Sequence, residues 1–466
     1  MGLILLTDFG STYTKVVAVN REKEEIVATA QAPSTSNCNI NIGLQSALDK
    51  LRIEIGTALP YFELKLACSS AVGGLRVVVI GLVRELTTDA AKRTALGAGA
   101  KVIASYSHGI THSELAELES LHPDIVLLTG GTDGGDRGTI VANATVLAKS
   151  ELSVPVIIAG NKSARDEVTG ILKIAGKPVV ATENVMPELG KLNAEPARST
   201  IREVFLQHVV QAKGLQDAQR FLTNIIMPTP MAVLNAATLL AQGTKGEAGM
   251  GKVVIVDVGG ATTDVYSITG GTPTRAGVLV KGLPELYAKR TVEGDLGIRS
   301  NAYSILQIAG KKTDEHMLRC NLDTSDINME QVVQRLSSNT AVIPETDAEF
   351  AIDSALARAA VDIAMARHAG TIEAVYTLGG ITYVQFGKDL TNVEHVIGTG
   401  GIFAYGRQPR EILEAVLFNK SNPLSLRPKC PSFYIDKKYI LYAMGLLADI
   451  APPQTLRIMK KYLQKI

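Results

Sequence analysis

The chain has 466 residues, 46% hydrophobic and 20% charged, and its 47 Lys and Arg against 46 Asp and Glu leave a formal charge of +1. That length exceeds one ordinary core and predicts two or three domains. The balanced charge, with no basic patch, argues against nucleic acid as a partner, and no apolar run approaches the ~18 residues of a membrane span. The opening MGLILLTDFG reaches Asp8 too soon for a signal peptide. Cys38, Cys68, Cys320 and Cys430 form no CxxC and no zinc spacing. A cytoplasmic α/β protein with reduced, buried thiols is expected.

In chain order, a first strand at Leu3–Thr7 enters a turn at Asp8-Phe9-Gly10-Ser11 and returns as Lys15–Asn20 and Ile26–Gln31. Tight turns between these runs predict an antiparallel meander, followed by a helix around Gly43–Ile55. From Leu75 to about Glu183 the rhythm changes. Continuous apolar strands at Arg76–Leu82, Lys101–Ser105, Asp124–Thr129, Pro155–Ala159 and Pro178–Thr182 alternate with helical patterns at Asp89–Gly97, Ser113–Leu121, Ile140–Ser150 and Ser163–Ala175. Strands of that kind in that order predict a doubly wound parallel layer, read as an insertion. The opening theme then resumes. Lys252–Asp257 ends in Asp, turns through Gly259-Gly260-Ala261-Thr262-Thr263 and returns as Asp264–Ile268. Residues 323–346 read as a polar loop with one short helix at Met329–Leu336. Ala348–Ala369 is a strong helix, and the end of the chain is helical from about Tyr439.

A strand ending in Asp and turning through Gly exposes backbone N–H groups, and a phosphate can approach glycine without a Cβ clash. The hydroxyls of Ser11, Thr12, Thr14, Thr262 and Thr263 can donate to phosphate oxygens. Carboxylates beside phosphates repel them unless a cation intervenes, and Mg²⁺ takes one or two carboxylates while keeping its waters. Asp8 and Asp257, one from each repeat of the theme, are therefore expected to hold hydrated Mg²⁺ over a nucleotide. Asp264 either acts on an attacking water or orients its loop. Lys15 and Thr14 fall on opposite strand faces, which leaves a direct role for Lys15 open.

Thr7–Thr14 resembles the first phosphate motif of the actin/Hsp70/sugar-kinase superfamily, and Asp257–Asp264 resembles its second. Val396-Ile397-Gly398-Thr399-Gly400-Gly401 before Ile402–Tyr405 is similar to its adenosine motif, ahead of the competing Gly379-Gly380. Pro228–Leu234 resembles its connecting helix. Over roughly its full length the chain also resembles the MutL (GlmL) accessory family of glutamate mutase operons, which is distinct from the mismatch-repair proteins of that name. The blocks are DFGSTYTK at 8–15, PTPMAVL at 228–234, DVGGATTDVYS at 257–267, EGDLGIR at 293–299, VIGTGGIF at 396–403 and YILYAMGLLA at 439–448.

The resemblance implies two actin-like (ribonuclease H-like) ATPase halves around a nucleotide cleft, with the doubly wound α/β domain inserted. Residues 1–74 would open the first half, 75–185 form the insertion, 186–250 complete the first half with connecting helices, and 251–466 form the second half. Catalytic Asp8, Asp257 and Asp264, phosphate-binding Gly10, Ser11, Thr12, Thr14, Gly259, Gly260, Thr262 and Thr263, and adenosine-binding Gly398, Thr399, Gly400 and Gly401 follow from it, with ATP or ADP and Mg²⁺ as cofactors. It further implies a slow ATPase with a chaperone-like role toward adenosylcobalamin-dependent glutamate mutase, exchanging damaged cobalamin. A hydantoinase-like hydrolase or a small-molecule kinase is the alternative. Homo-oligomerisation stays open. Glu293, Asp295 and Arg299 are either a solvated loop or a contact at the cleft, and the glycine-rich Gly130–Asp136 either a ligand loop or a plain one. His108 departs from the DxHxxG of corrinoid-binding domains, so cobalt ligation is not expected.

Overall fold

The computed structural model describes every residue except 1, 36–38, 57–58, 71–73, 210–223, 311, 321–327, 341 and 379. Cys38 and Gly379 lie outside the described residues.

Two sheets repeat one topology. In the first, the meander of Leu3–Phe9, Tyr13–Asn20 and Glu25–Pro33 is antiparallel, and Leu64–Ser69 and then Asn224–Pro228 add in parallel on the free side of Leu3–Phe9. In the second, Val253–Val258, Thr263–Ile268 and Ala288–Glu293 form the meander, and His395–Thr399 and Ser432–Ile435 add in parallel beside Val253–Val258. A short antiparallel strand, Gln464–Lys465, closes that edge. The chain that separates the meander from its parallel strands differs in length and content, but the strand order is the same.

Each sheet is apolar on both faces. Ile4, Leu6 and Val17 of the first sheet and Val253, Ile255 and Tyr266 of the second share one buried cluster with the helices Thr229–Gln242 and Leu441–Leu447. These helices fill the space between the sheets, so burial of two apolar faces fixes how the halves meet. The outer face of the first sheet is covered by Ile40–Ile55, and that of the second by the long helix Asp347–His368. That helix starts on a capping box in which Thr346 and Glu349 satisfy each other's backbone N–H groups.

Arg76–Gly81, Lys101–Ser107, Ile125–Leu128, Val156–Ile158 and Val179–Ala181 form a third, entirely parallel sheet that shares no strand with the other two. Its order places the second strand on the outside and the first beside the third. Val278–Lys281, Thr371–Thr377 and Gly380–Phe386 make a small further sheet, and the Gly380 end of the competing glycine pair belongs to it rather than to the space between the two large sheets.

Candidate functional site

The two Asp-Gly turns close in the same way. The Gly10 N–H donates to Tyr13 O at 3.1 Å, and the Gly259 N–H donates to Thr262 O at 2.9 Å. In each turn Asp stands two residues before the bonded glycine, at the end of the first strand. The turns come from different halves and border one cavity of about 550 Å³. Asp8, Gly10, Ser11, Thr12, Asp257, Gly259, Gly260, Thr262 and Asp264 all line it.

The adenosine candidates approach the same cavity. Strand His395–Thr399 runs parallel beside Val253–Val258, which brings Thr399 and Gly401 into the lining. Gly400 has φ +107, and a Cβ there would fall 2.3 Å from Val258 O, so only glycine passes between the strand ends. Gly398 serves packing instead: a Cβ would strike the Phe403 ring at 2.6 Å. Thr399 donates to Asp436 at 3.0 Å, and Asp436 also accepts the N–H groups of Ile440 and Leu441. Ile298, Val342, Ile343, Phe350 and Ile402 supply apolar lining.

Two hydroxyl candidates sit elsewhere. Thr263 is buried and donates to Leu296 O at 2.7 Å, bracing the loop that follows. Thr14 points away from the cavity toward the helix Ile40–Ile55, where a Cβ on Gly43 would lie 3.1 Å from its hydroxyl. The cross-strand register explains where Thr14 lies. Asp8 pairs with Lys15, whereas Thr14 pairs with Phe9. Partners in register share a face, so Lys15 lies with Asp8 and Thr14 lies behind the sheet.

Lys15 is therefore a site residue that alternation alone did not select. Its Nζ lies 2.8 Å from Asp8 Oδ2 and 4.1 Å and 5.2 Å from the ring centres of Tyr439 and Tyr442. Burial opposes its charge, but Asp8 and the two tyrosines outweigh burial and hold its pKa well above the ordinary value. Asp8 also accepts a 2.6 Å hydrogen bond from Thr229, the first residue of the helix Thr229–Gln242.

The second half is charged differently. Asp264 is held by Arg290, with Nη2 at 2.6 Å and Nε at 2.8 Å, and accepts from Thr262 at 3.0 Å. The Asp257 carboxylate has no hydrogen-bond or ion-pair partner among the described residues. Burial, then repulsion from Asp264, pushes its pKa up to about 7; Lys15 opposes the rise, and Asp8 and Asp436 add to it. A surplus of carboxylates thus faces the cavity.

The 293–299 loop braces the second turn. Ile298 N–H donates to Gly259 O, and Arg299 and Ser300 N–H both donate to Gly260 O, at 2.9–3.2 Å. The Arg299 guanidinium lines the cavity and makes a two-pronged pair with Asp353 at 2.9 and 2.6 Å. Glu293 and Asp295 instead pair with Arg367 at 2.6 and 2.9 Å and do not line the cavity. The Gly130–Asp136 loop is stapled by side chains. Asn161 accepts from Gly134 N–H and donates to Gly135 O and Asp136 O, while Asn184 donates to Gly131 O.

The sequence profile of the MutL protein family matches residues 4–463. The chain belongs to this family. Protein MutL of Clostridium tetanomorphum is 47% identical over 466 residues, covering both chains completely. Among solved structures, the xylulose kinase of Bifidobacterium adolescentis is 13% identical over 97% of this chain and 92% of its own, with a TM-score of 0.32. A reductive activator for a corrinoid, iron–sulfur protein is 12% identical over 98% of this chain and 62% of its own, with a TM-score of 0.31. Among the described residues no helix is long and apolar enough to cross a membrane.

Proposed function

We propose that this MutL-family chain is a cytoplasmic, ATP-dependent accessory factor for adenosylcobalamin-dependent glutamate mutase, built on actin-like ATPase halves, that couples nucleotide binding and slow hydrolysis to the exchange of damaged cobalamin. The observation that carries the reading is the pair of like-built Asp-Gly turns, one from each half, on a single cavity. A nucleotide that touches both turns is bound best when the halves are closed, so its presence favours closure.

The residues fit Mg²⁺ and phosphates. No described cluster of three or more His, Cys, Asp or Glu side chains is arranged to hold a metal by itself. Asp257, half-buried on the cavity wall beside Asp264 and without a partner among the described residues, calls for a cation, and the donor set suits an ion that keeps waters and binds phosphates. Asp8 and Asp257 would hold it through water. When bound, Mg²⁺ supplies charge neutralisation at the phosphates. With the Gly10 and Gly259 N–H groups and the Thr262 hydroxyl taken up inside the turns, the backbone N–H groups of Ser11 and Gly260 and the Thr12 hydroxyl would orient the phosphates. Lys15, already charged, adds a cation on the first-half side, and Asp264 is set by Arg290 to accept a hydrogen bond from an attacking water. Ile343, Phe350 and Ile402, with Gly401, offer the nucleoside an apolar surface.

The test mixes the purified chain, Mg-ATP and free adenosylcobalamin with glutamate mutase that holds cobalamin lacking its adenosyl group. Recovery of mutase activity that requires ATP, and that is absent with Asp257→Ala, is expected. Rapid turnover of a small substrate without the mutase, with no association between the two proteins, would replace this reading by a kinase or hydrolase.

A further inference from the structure

The edge strand Ala288–Glu293 carries one desolvated cation that serves two masters. Arg290 is 4% exposed. Its Nε and Nη2 hold Asp264 Oδ1 at 2.8 and 2.6 Å, so one side of the guanidinium fixes a carboxylate that borders the cavity. Nη1 points the other way and donates to Leu96 O at 3.2 Å and Ala100 O at 2.8 Å. Those carbonyls belong to the last turn and exit of the helix Asp89–Gly97, which joins the first two strands of the separate parallel sheet.

The arrangement is specific to arginine. A helix end exposes carbonyls with partial negative charge, and a buried cation there is favourable. The guanidinium is a rigid plane with divergent N–H groups, so a shift of Asp264 must swing Nη1 relative to the two carbonyls. Other contacts cross the same boundary without reaching the cavity. Arg93 of the helix 89–97 donates to Pro284 O at 3.0 Å and pairs with Glu285 at 3.2 Å, and Glu285 does not line it.

We propose that Arg290 is a positioning residue that couples Asp264 to the parallel layer, so that a change of charge or place at Asp264 moves the helix 89–97. The nucleotide arm of this inference rests on the function proposed above. By reciprocity, anything that seats on the parallel layer and shifts that helix changes affinity in the cavity.

Amide hydrogen exchange reads the coupling. Two arms keep it separate from nucleotide binding, which titration calorimetry with Mg-ADP reports independently. Without any nucleotide, Asp264→Asn should speed exchange in peptides covering 89–101 by about tenfold, while the helix 165–174 of the same layer stays within about twofold. With saturating Mg-ADP, wild-type exchange in 89–101 should change by about threefold or more, and Arg290→Lys, which keeps the charge beside Asp264 but cannot fork onto both carbonyls, should lose that change. Arg93→Ala should retain it. The proposal is overturned if Asp264→Asn leaves 89–101 unaltered, or if Arg290→Lys responds to nucleotide like the wild type. Absence of Mg-ADP binding would overturn the proposed function alone, because the nucleotide-free arm still decides the coupling.

Discussion

The two Asp-Gly turns share a backbone and differ in charge. At the first, Asp8 is answered by Lys15 and Thr229 from the same half. At the second, Arg290 answers Asp264, while the half-buried Asp257 has no partner among the described residues. A repeated fold can therefore surround two similar turns with different charges: the first carboxylate has its cation in place, and Asp257 of the second has none among the described residues. The backbone bond from glycine to the residue three positions on sets the shape, and the residues on neighbouring strands set the charge.

Removing each aspartate gives the largest effects and tests that contrast. Asp8→Ala and Asp257→Ala should each lower ATP hydrolysis by about 10³-fold or more, measured as phosphate release. Only the first should also destabilise the fold, by about 3–5 kcal/mol in chemical denaturation, because it strands the largely desolvated Lys15. Lys15→Met should cost a similar amount, and Asp8→Asn combined with Lys15→Met should recover most of it. Equal stability of both alanine variants would erase the distinction between the turns.

A pH series probes the unpartnered acid. The Asp257 carboxyl sits near 7 in the folded chain against an ordinary 3.8, so the folded state holds its proton more tightly than the unfolded state. Its contribution to stability is present at low pH and is lost as pH rises from about 4 through about 7. Asp257→Asn should accordingly raise the thermal midpoint of the nucleotide-free protein at pH 8 and change it little at pH 4. Mg-ADP, which needs the ionised carboxylate, should bind more weakly as pH falls below about 7. A pH-independent difference between variant and wild type would place the proton elsewhere.

The smallest effect belongs to Thr229. Thr229→Val removes one hydrogen bond to Asp8 and should cost about 1 kcal/mol of stability. The same change should weaken Mg-ADP binding by only a few fold, seen by titration calorimetry. A loss as large as that of Asp8→Ala would make Thr229, rather than Lys15, the main partner of that carboxylate.

Much of this arrangement was legible because it is local. Continuous apolar runs marked the parallel strands, and Asp followed by Gly marked both turns, since strand propensity and turn chemistry depend on near neighbours. The strands Leu64–Ser69 and Asn224–Pro228 carry no such local mark, being short and made by pairing with residues far along the chain. Thr14 and Lys15 show the limit most plainly. Alternation puts them on opposite faces, but which face meets the cavity follows from the register that sets Asp8 opposite Lys15.

The sequence by itself determined the kinds of element, the two turns and the carboxylates at their strand ends, because each follows from residue chemistry within a few positions. Tertiary structure alone decided which charges meet. Arg290 reaches Asp264 across 26 positions and Ala100 across 190, and Thr229 reaches Asp8 across 221. Separations of that size carry no local signal; they arise when two sheets bury their apolar faces against shared helices and bring distant side chains to one cavity.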